Sequence, residues 1–394
     1  MFISIFLTIF PFYINKIAKT SKINIRQYFA KTPTFCRKIV ENYKFFTTFV
    51  RKLLIQDRML KRLTTILLMF AMLATATFMW GCSEAISTYK RVDSYALGTF
   101  VQLTCRTNHP TAELTRLIAE IDQEAKASMS IFDEGSLISR INRNETDSLD
   151  RHIAFNLELA EKFYELSDGA YDVTIKPLTS AWGFAGKNTS AEPNVDSLLQ
   201  FVGFEKIAIV DGRLQKRDIR SELDFNSIAK GYVVDLVAER LNEMGITNYM
   251  VNIGGEIRCK GVNARGGDWT IGIETPYEGN FEQEAIEKII AISNCGVATS
   301  GNYRRFHLTE DGRKVAHTID PKTGYSVLSD LLSVTIIAPT CAEADAAATM
   351  FMAMGSTEQT LELAKQCERE FGWRYYFIYA DNDGYRIEAS ASLR

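Results

Sequence analysis

Glu343-Ala344-Asp345-Ala346-Ala347-Ala348-Thr349 sets a carboxylate and a hydroxyl, Asp345 and Thr349, one helical turn apart, so both oxygens can face one cation. Two hard oxygen ligands suit magnesium, with phosphate and water completing its shell. The same residues also fit a small-residue helix in which Asp345 lies near an exposed start and Thr349 bonds back to a carbonyl. A second segment, Asp224-Phe225-Asn226-Ser227-Ile228-Ala229-Lys230-Gly231, puts a carboxylate, open backbone and a lysine at the entry to a helix. Free N–H groups and the helix dipole favour phosphate there, and such a corner can hold a pyrophosphate. The plainer alternative makes Asp224 an N-cap on an ordinary amphipathic helix.

Val315-Ala316-His317-Thr318-Ile319-Asp320-Pro321-Lys322-Thr323-Gly324 carries one of only four histidines, ahead of a turn-forming Asp-Pro and a glycine. A lone histidine is usually structural. The case for chemistry at His317 rests on the preceding Thr299-Ser300-Gly301-Asn302-Tyr303-Arg304-Arg305, which offers hydroxyls, tight backbone and cations to an anionic ligand. Asn252-Ile253-Gly254-Gly255-Glu256 is either another close-approach turn or a simple strand connection. There is no Gly-x-Gly-x-x-Gly after a strand, no Gly-x-Ser-x-Gly and no paired histidine spacing for zinc, so a nucleotide must be held by another device.

The elements that must position these groups are legible in outline. Alternation around Ala96 to Leu103 predicts a strand, followed by a helix over Thr111 to Met129. A second helix, Ile153 to Ser167, stops at Asp168-Gly169. Lys206 to Val210 and Arg213 to Arg217 read as a hairpin about Asp211-Gly212. A helix over Ile228 to Met244 carries an apolar stripe of Val233, Val234, Leu236, Val237 and Leu241. Strands are expected at Tyr249 to Ile253, Ile257 to Lys260, Trp269 to Ile273, Lys288 to Ser293 and Ser333 to Ala338. Helices follow at Cys341 to Met354 and Thr357 to Arg369, then a closing hairpin of Tyr375 to Tyr379 and Tyr385 to Ala389. Strands and helices do not alternate regularly, which favours α+β with mixed or antiparallel sheets over a doubly wound sheet.

With 394 residues, 46% of them hydrophobic, the chain can bury a large core, and a net charge of -3 gives no footprint for nucleic acid. Met59-Leu60-Lys61-Arg62 opens an apolar run that ends at Trp80-Gly81-Cys82, the layout of a signal peptide over residues 59–81. Gly81 before Cys82 resembles a lipoprotein-processing box, which makes Cys82 the lipidation site and residues 82–90 a tether before a domain at 91–394. An uncleaved membrane helix, or cleavage elsewhere, is the competing reading. Residues 1–58 form a doubtful leader: either Met59 is the true start, or these residues are an extension with membrane affinity of its own. The seven cysteines include no CxxC pair and do not read as a disulfide framework.

Taken in order, these segments resemble the ApbE-type FAD:protein FMN transferases, formerly described as thiamine-biosynthesis lipoproteins. The likeness runs through Leu97-Gly98-Thr99, Met129 to Ser136, Ser167 to Asp172, Asp224 to Asp235, Val251 to Glu256, Ala298 to Arg305, His317 to Gly324 and Ala344 to Thr349. The resemblance implies a T-fold-like α+β domain, FAD as flavin donor, and Mg2+ held by the side chains of Asp345 and Thr349 with the carbonyl of Ser227. It places Leu97, Phe132, Ala170, Tyr171, Asp172, Asp224, Lys230 and Ile319 around FAD and puts His317 where the family has a candidate general base. It further implies FMN transfer to a Thr or Ser hydroxyl of a redox protein, with AMP released, by an enzyme lipid-anchored at the bacterial cell membrane and facing the periplasm. Leu97 stands where the family has Met, Phe225-Asn226 where it has Leu-Gly, and Ser326 where it has Pro. Water as nucleophile at the same site would make an FAD pyrophosphatase, and a site without chemistry a flavin-binding lipoprotein.

Overall fold

Leu97 and Gly98 both have positive φ, 51° and 75°, and close a two-residue turn. The chain on either side therefore folds back on itself as β1 (Thr88–Ala96) and β2 (Thr99–Thr107), paired antiparallel from end to end. The strand expected over Ala96 to Leu103 is thus the tip of a hairpin, and β1 takes in the last residues of the stretch expected as a tether. The computed structural model describes residues 88–185, 192–276, 285–302, 306–308, 312, 314–382 and 384–394. The chain divides into two units, Met1–Ala85 and Ile86–Arg394, and only the second is described here. The leader, the signal-peptide pattern, Cys82, Tyr303, Arg304 and Arg305 all lie outside the described residues.

Helix α1 (Thr111–Met129) and α2 (Leu137–Asn142) lead to α3 (Arg151–Leu166), whose start is capped by Asp150 accepting from the N–H groups of His152 and Ile153. It ends as expected, with Asp168 and Gly169 both left-handed at φ 52° and 80°. Short helices α4 (Lys176–Ala181) and α5 (Val195–Leu199) precede the hairpin β3 (Ile207–Val210) and β4 (Arg213–Lys216). Then come α6 (Ala229–Glu243), β5 (Tyr249–Ile253), β6 (Glu256–Lys260), β7 (Trp269–Glu274), β8 (Ile286–Ile292) and β9 (Cys295–Gly301). The small pair β10 (Phe306–Leu308) and β11 (Lys314–Ala316) precedes β12 (Leu331–Ala338), α7 (Cys341–Met354), α8 (Glu358–Phe371), β13 (Arg374–Asp381) and β14 (Gly384–Ala389).

Eight strands form one antiparallel sheet in the order β1-β2-β5-β6-β9-β12-β13-β14. The fold is α+β, as the irregular element order predicts, and its main sheet is antiparallel throughout rather than mixed. One face is covered by helices: Val101, Leu103, Val251, Ile253 and Ile336 join Leu114 and Ile118 of α1, Val234 and Val237 of α6 and the alanines of α7 in the largest core. The other face packs under the β7–β8 hairpin, where Ile257, Val297, Ile337 and Ile378 meet Trp269, Ile273, Ile290 and Ile292. Ile336 and Ile337 fall on opposite faces because side chains alternate along a strand.

Helix α7 lies close against the sheet and α6 because small residues let it. A Cβ on Gly296 of β9 would overlap backbone of Thr340 and Cys341. Asp235 of α6 reaches across to the start of α7 and accepts from the N–H groups of Cys341 (3.0 Å) and Ala342 (2.8 Å). Thr340 caps the same end by accepting from Glu343 N–H. The helix that carries Asp345 and Thr349 is therefore fixed at its N-terminus from two sides.

Candidate functional site

Gly231, in the first turn of α6, is where the two central helices touch. A Cβ there would sit 2.7 Å from the Cys341 carbonyl carbon and 2.8 Å from Asp345 Cβ, so only glycine permits the approach. Its N–H donates to Asp345 Oδ2 at 2.9 Å. A first-turn N–H at this position could otherwise bond the carbonyl of Ser227, and no main-chain N–H among the described residues does so. The arrangement leaves the Ser227 carbonyl, four residues before Gly231, without a main-chain donor.

Asp345 is only 4% exposed, against the expectation of an exposed helix start. Burial raises its pKa and the neighbouring Glu256 raises it further, while Lys230 and the Gly231 N–H act in the opposite direction. Lys230 Nζ is paired with Glu256 Oε1. Burial pulls the Lys230 ammonium down, but Glu256 and Asp345 outweigh it and hold the lysine above its ordinary value. Glu256 Oε2 is buried with no hydrogen-bond partner. Thr349, one turn along α7, pairs its hydroxyl with Ser300 Oγ at 3.2 Å.

This donor set fits a divalent cation. It offers hard oxygens, an unclaimed carbonyl and a carboxylate whose charge burial disfavours until a cation offsets it. Among the described residues no three His, Cys, Asp or Glu side chains converge as a metal cluster, so such an ion would depend on the carbonyl, the hydroxyl and a bound ligand to complete its shell.

The predicted phosphate corner is built differently from an N-cap. The residue capping α6 is Ile228, without a side-chain bond. Asp224 stands earlier in the chain, 5% exposed, accepting from Asn226 N–H at 2.9 Å and from the Thr179 hydroxyl at 3.2 Å. Its own N–H donates to the Val173 carbonyl. The Ser227 hydroxyl, unassigned by sequence reasoning, donates to the buried Tyr171 oxygen at 2.8 Å and so joins this loop to the Ala170-Tyr171-Asp172 stretch. Asp172 accepts from the N–H and hydroxyl of Thr174 and from Phe204 N–H, so its carboxylate is committed to holding the loop. Burial pushes its pKa up to about 6.

The turn after β11 docks on this same region. Trp182 Nε1 donates to the Gly324 carbonyl at 2.8 Å, Lys322 pairs with Asp168 at 2.7 Å, and Ile319 is buried with Leu178 and Trp182. His317 packs edge-on to Phe184 with ring centres 6.4 Å apart. The end of β9 joins the two halves: Ser300 bonds Thr349, and Asn302 accepts from the Thr318 hydroxyl at 2.6 Å. The Ser326 hydroxyl donates to the Ala316 carbonyl and accepts the Ala316 N–H, bonds that proline could not make, and so fixes the chain next to His317.

Leu97 and Phe132 lie apart from these contacts. Leu97 is held in its left-handed conformation by Asp122, which accepts its N–H at 2.7 Å. Phe132 is 67% exposed. Three residues that sequence reasoning did not assign belong to the corner: Gly231, Glu256 and Asp235. The glycine pair Gly254-Gly255 was the visible signal for Glu256, since this tight turn of φ 64° and 110° delivers it to the start of β6 beside Lys230. Gly231 and Asp235 act through a helix–helix contact that local sequence does not display.

The ApbE family pattern matches residues 97–372. The chain is 36% identical over 290 residues to the FAD:protein FMN transferase of Haemophilus influenzae, covering 70% of this chain and 81% of that protein. It is 27% identical over 353 residues to the FAD:protein FMN transferase of Escherichia coli K12, with 82% and 95% covered. In structure it resembles the flavin transferase ApbE of Vibrio cholerae with a TM-score of 0.68 at 31% identity, covering 78% of this chain and 98% of that one. The apbe protein of Thermotoga maritima also gives a TM-score of 0.68, at 27% identity and with 77% and 98% covered. With the pattern spanning most of the described residues, this chain belongs to the ApbE family.

Proposed function

We propose that this protein is an FAD:protein FMN transferase that uses Mg2+ to move FMN from FAD onto a Thr or Ser hydroxyl of an acceptor protein. The observation that carries the reading is the Gly231 N–H bond to Asp345, with the Ser227 carbonyl four residues earlier left without a main-chain donor, in a chain whose relatives bear that enzyme's name.

When bound between Asp345, Thr349 and the Ser227 carbonyl, Mg2+ supplies positive charge that offsets the FAD pyrophosphate and the developing charge on AMP. Lys230, kept as an ammonium by its carboxylate neighbours, adds a fixed charge beside it. The acceptor hydroxyl oxygen attacks the FMN phosphorus, the phosphorus–oxygen bond to AMP breaks, and His317 takes the hydroxyl proton. Tyr171, Asp172 and Asp224 hold the loops around the donor, with Ala170 and Ile319 in the same wall and Leu97 and Phe132 on the flavin side. Lipidation at Cys82 would keep the enzyme at the membrane, facing periplasmic or membrane redox proteins that display the acceptor hydroxyl.

The test is incubation of the full-length protein with FAD, Mg2+ and a redox protein bearing a Ser/Thr flavinylation motif, read by in-gel flavin fluorescence and acceptor mass. A covalent FMN adduct with stoichiometric AMP is expected, reduced by about a thousandfold or more in Asp345→Ala and abolished with Thr349→Ala added. Free FMN without an adduct would mean a pyrophosphatase, and unchanged bound FAD a carrier. Full transfer by the double variant would remove this metal site.

A further inference from the structure

We propose that Cys259 and Cys295 form a dithiol that closes reversibly into a cross-strand disulfide when it meets a disulfide oxidant. The two cysteines are remote in sequence, yet the antiparallel pairing of β6 and β9 sets them directly opposite each other. Directly opposed residues of antiparallel strands have Cα atoms about 4.5–5.5 Å apart and side chains on one face. A disulfide needs roughly 4.4–6.8 Å, so the backbone already has the required spacing. Both residues belong to the core under the β7–β8 hairpin, and both are free thiols. Among the described residues, the other cysteines have no such cross-strand cysteine partner: Cys105 faces Lys90 and Tyr249, and Cys341 and Cys367 lie on helices.

The pair is asymmetric in the way exchange chemistry requires. Cys295 is 7% exposed and Cys259 fully buried. The neighbouring Cys259, with the charges of Arg374 and Arg258, pulls the Cys295 thiol down against its burial, whereas Cys295 and burial push Cys259 up. Cys295 is therefore the attacking thiolate and Cys259 the resolving thiol. With glutathione disulfide as oxidant, the Cys295 thiolate attacks one glutathione sulfur, forms a mixed disulfide and expels one glutathione thiolate. Cys259 then loses its proton to that thiolate and attacks the Cys295 sulfur, which expels the second glutathione. Two protein thiols are oxidised and one glutathione disulfide is reduced to two thiols.

The bond would fasten β6 to β9 directly behind the candidate site. The neighbouring opposed pair, Arg258 and Gly296, points to the helix face, where Arg258 lies 3.7 Å from Asp235 and Gly296 abuts the start of α7.

The experiment equilibrates the full-length protein in glutathione buffers from reducing to oxidising, quenches with acid, alkylates in denaturant and maps peptides by mass. The thiols of Cys259 and Cys295 should disappear together, with the Cys259 peptide joined to the Cys295 peptide. In Cys259→Ala the reaction should stop at one glutathione adduct on Cys295. Retention of both thiols in the most oxidising buffer, or a cross-link joining other cysteines, would overturn the proposal, and wild-type mapping decides this even if the variant does not fold.

Discussion

Two regions of the described domain, the α6–α7 corner and the exposed rim around Phe132 and the β1–β2 turn, are built on opposite terms. At the α6–α7 corner, Asp345 is 4% exposed, Gly231 has no room for a Cβ, and Asp235 and Thr340 satisfy the helix start between them. At the outer rim, Phe132 is 67%, Tyr95 60% and Phe100 78% exposed, and the turn beside them rests on a left-handed leucine held by one carboxylate. The corner is organised by the fold itself, whereas the rim leaves apolar side chains exposed among the described residues. In the proposed reading this division makes sense. Charge on a pyrophosphate and a cation must be met by groups fixed in advance, because reorganising dipoles costs free energy during the reaction. A flat aromatic ring can instead supply its own burial as it binds.

The largest loss of stability is expected at Gly231. Gly231→Ala puts a methyl group into the Cys341 backbone, which cannot yield as a flexible side chain could. We expect about 3 kcal/mol of lost stability, read as a lowered urea midpoint at unchanged slope. An unchanged midpoint would mean that α6 and α7 are free to separate, and the corner could not be called fixed.

Asp235 holds the start of α7 at the same corner, with a smaller loss expected. Asp235→Ala removes acceptors from two N–H groups at the start of α7 and a carboxylate from Arg258, whose Nη1 is already buried without a partner. A loss of about 2 kcal/mol is expected in the same denaturation assay, with Asp235→Asn losing less because it keeps one acceptor. If Ala and Asn behave alike and near wild type, solvent is reaching the helix end and the corner is not sealed.

Local rules made most of the frame legible. Asp168-Gly169 and Asp211-Gly212 turned where their chemistry dictates, and the alternating strands and the stripe on α6 fell where periodicity put them. Leu97-Gly98 was misread as strand interior because leucine is not a left-handed residue by preference; Asp122, remote in sequence, imposes the turn. Strand β9 shows no alternation to read because it is rich in small residues and its first four, Cys295 to Ala298, are buried on both faces. The site shows the same limit. Asp345, Thr349 and Lys230 stood out by residue type and spacing. Gly231, Glu256 and Asp235 matter through contacts between elements, and so does the meeting of Cys259 with Cys295, which distance in sequence concealed.

Phe132 tests the rim, and the expected stability effect is the smallest. Its side chain is mostly in solvent, and the loop that bears it is held by other groups: its N–H donates to Ser130 Oγ, Ser136 donates to the Ser130 carbonyl, and Ser136 caps α2. Phe132→Ala should therefore shift the urea midpoint by less than the equivalent of about 0.5 kcal/mol. If FAD covers the ring, the same change removes apolar burial worth about 1.5 kcal/mol and raises KM for FAD about tenfold with kcat little altered, since the ring is remote from the phosphorus being attacked. A fall in kcat at constant KM would place Phe132 with the reacting groups and erase the distinction between rim and corner. A fall in stability would mean that the rim, like the corner, is organised before any ligand arrives.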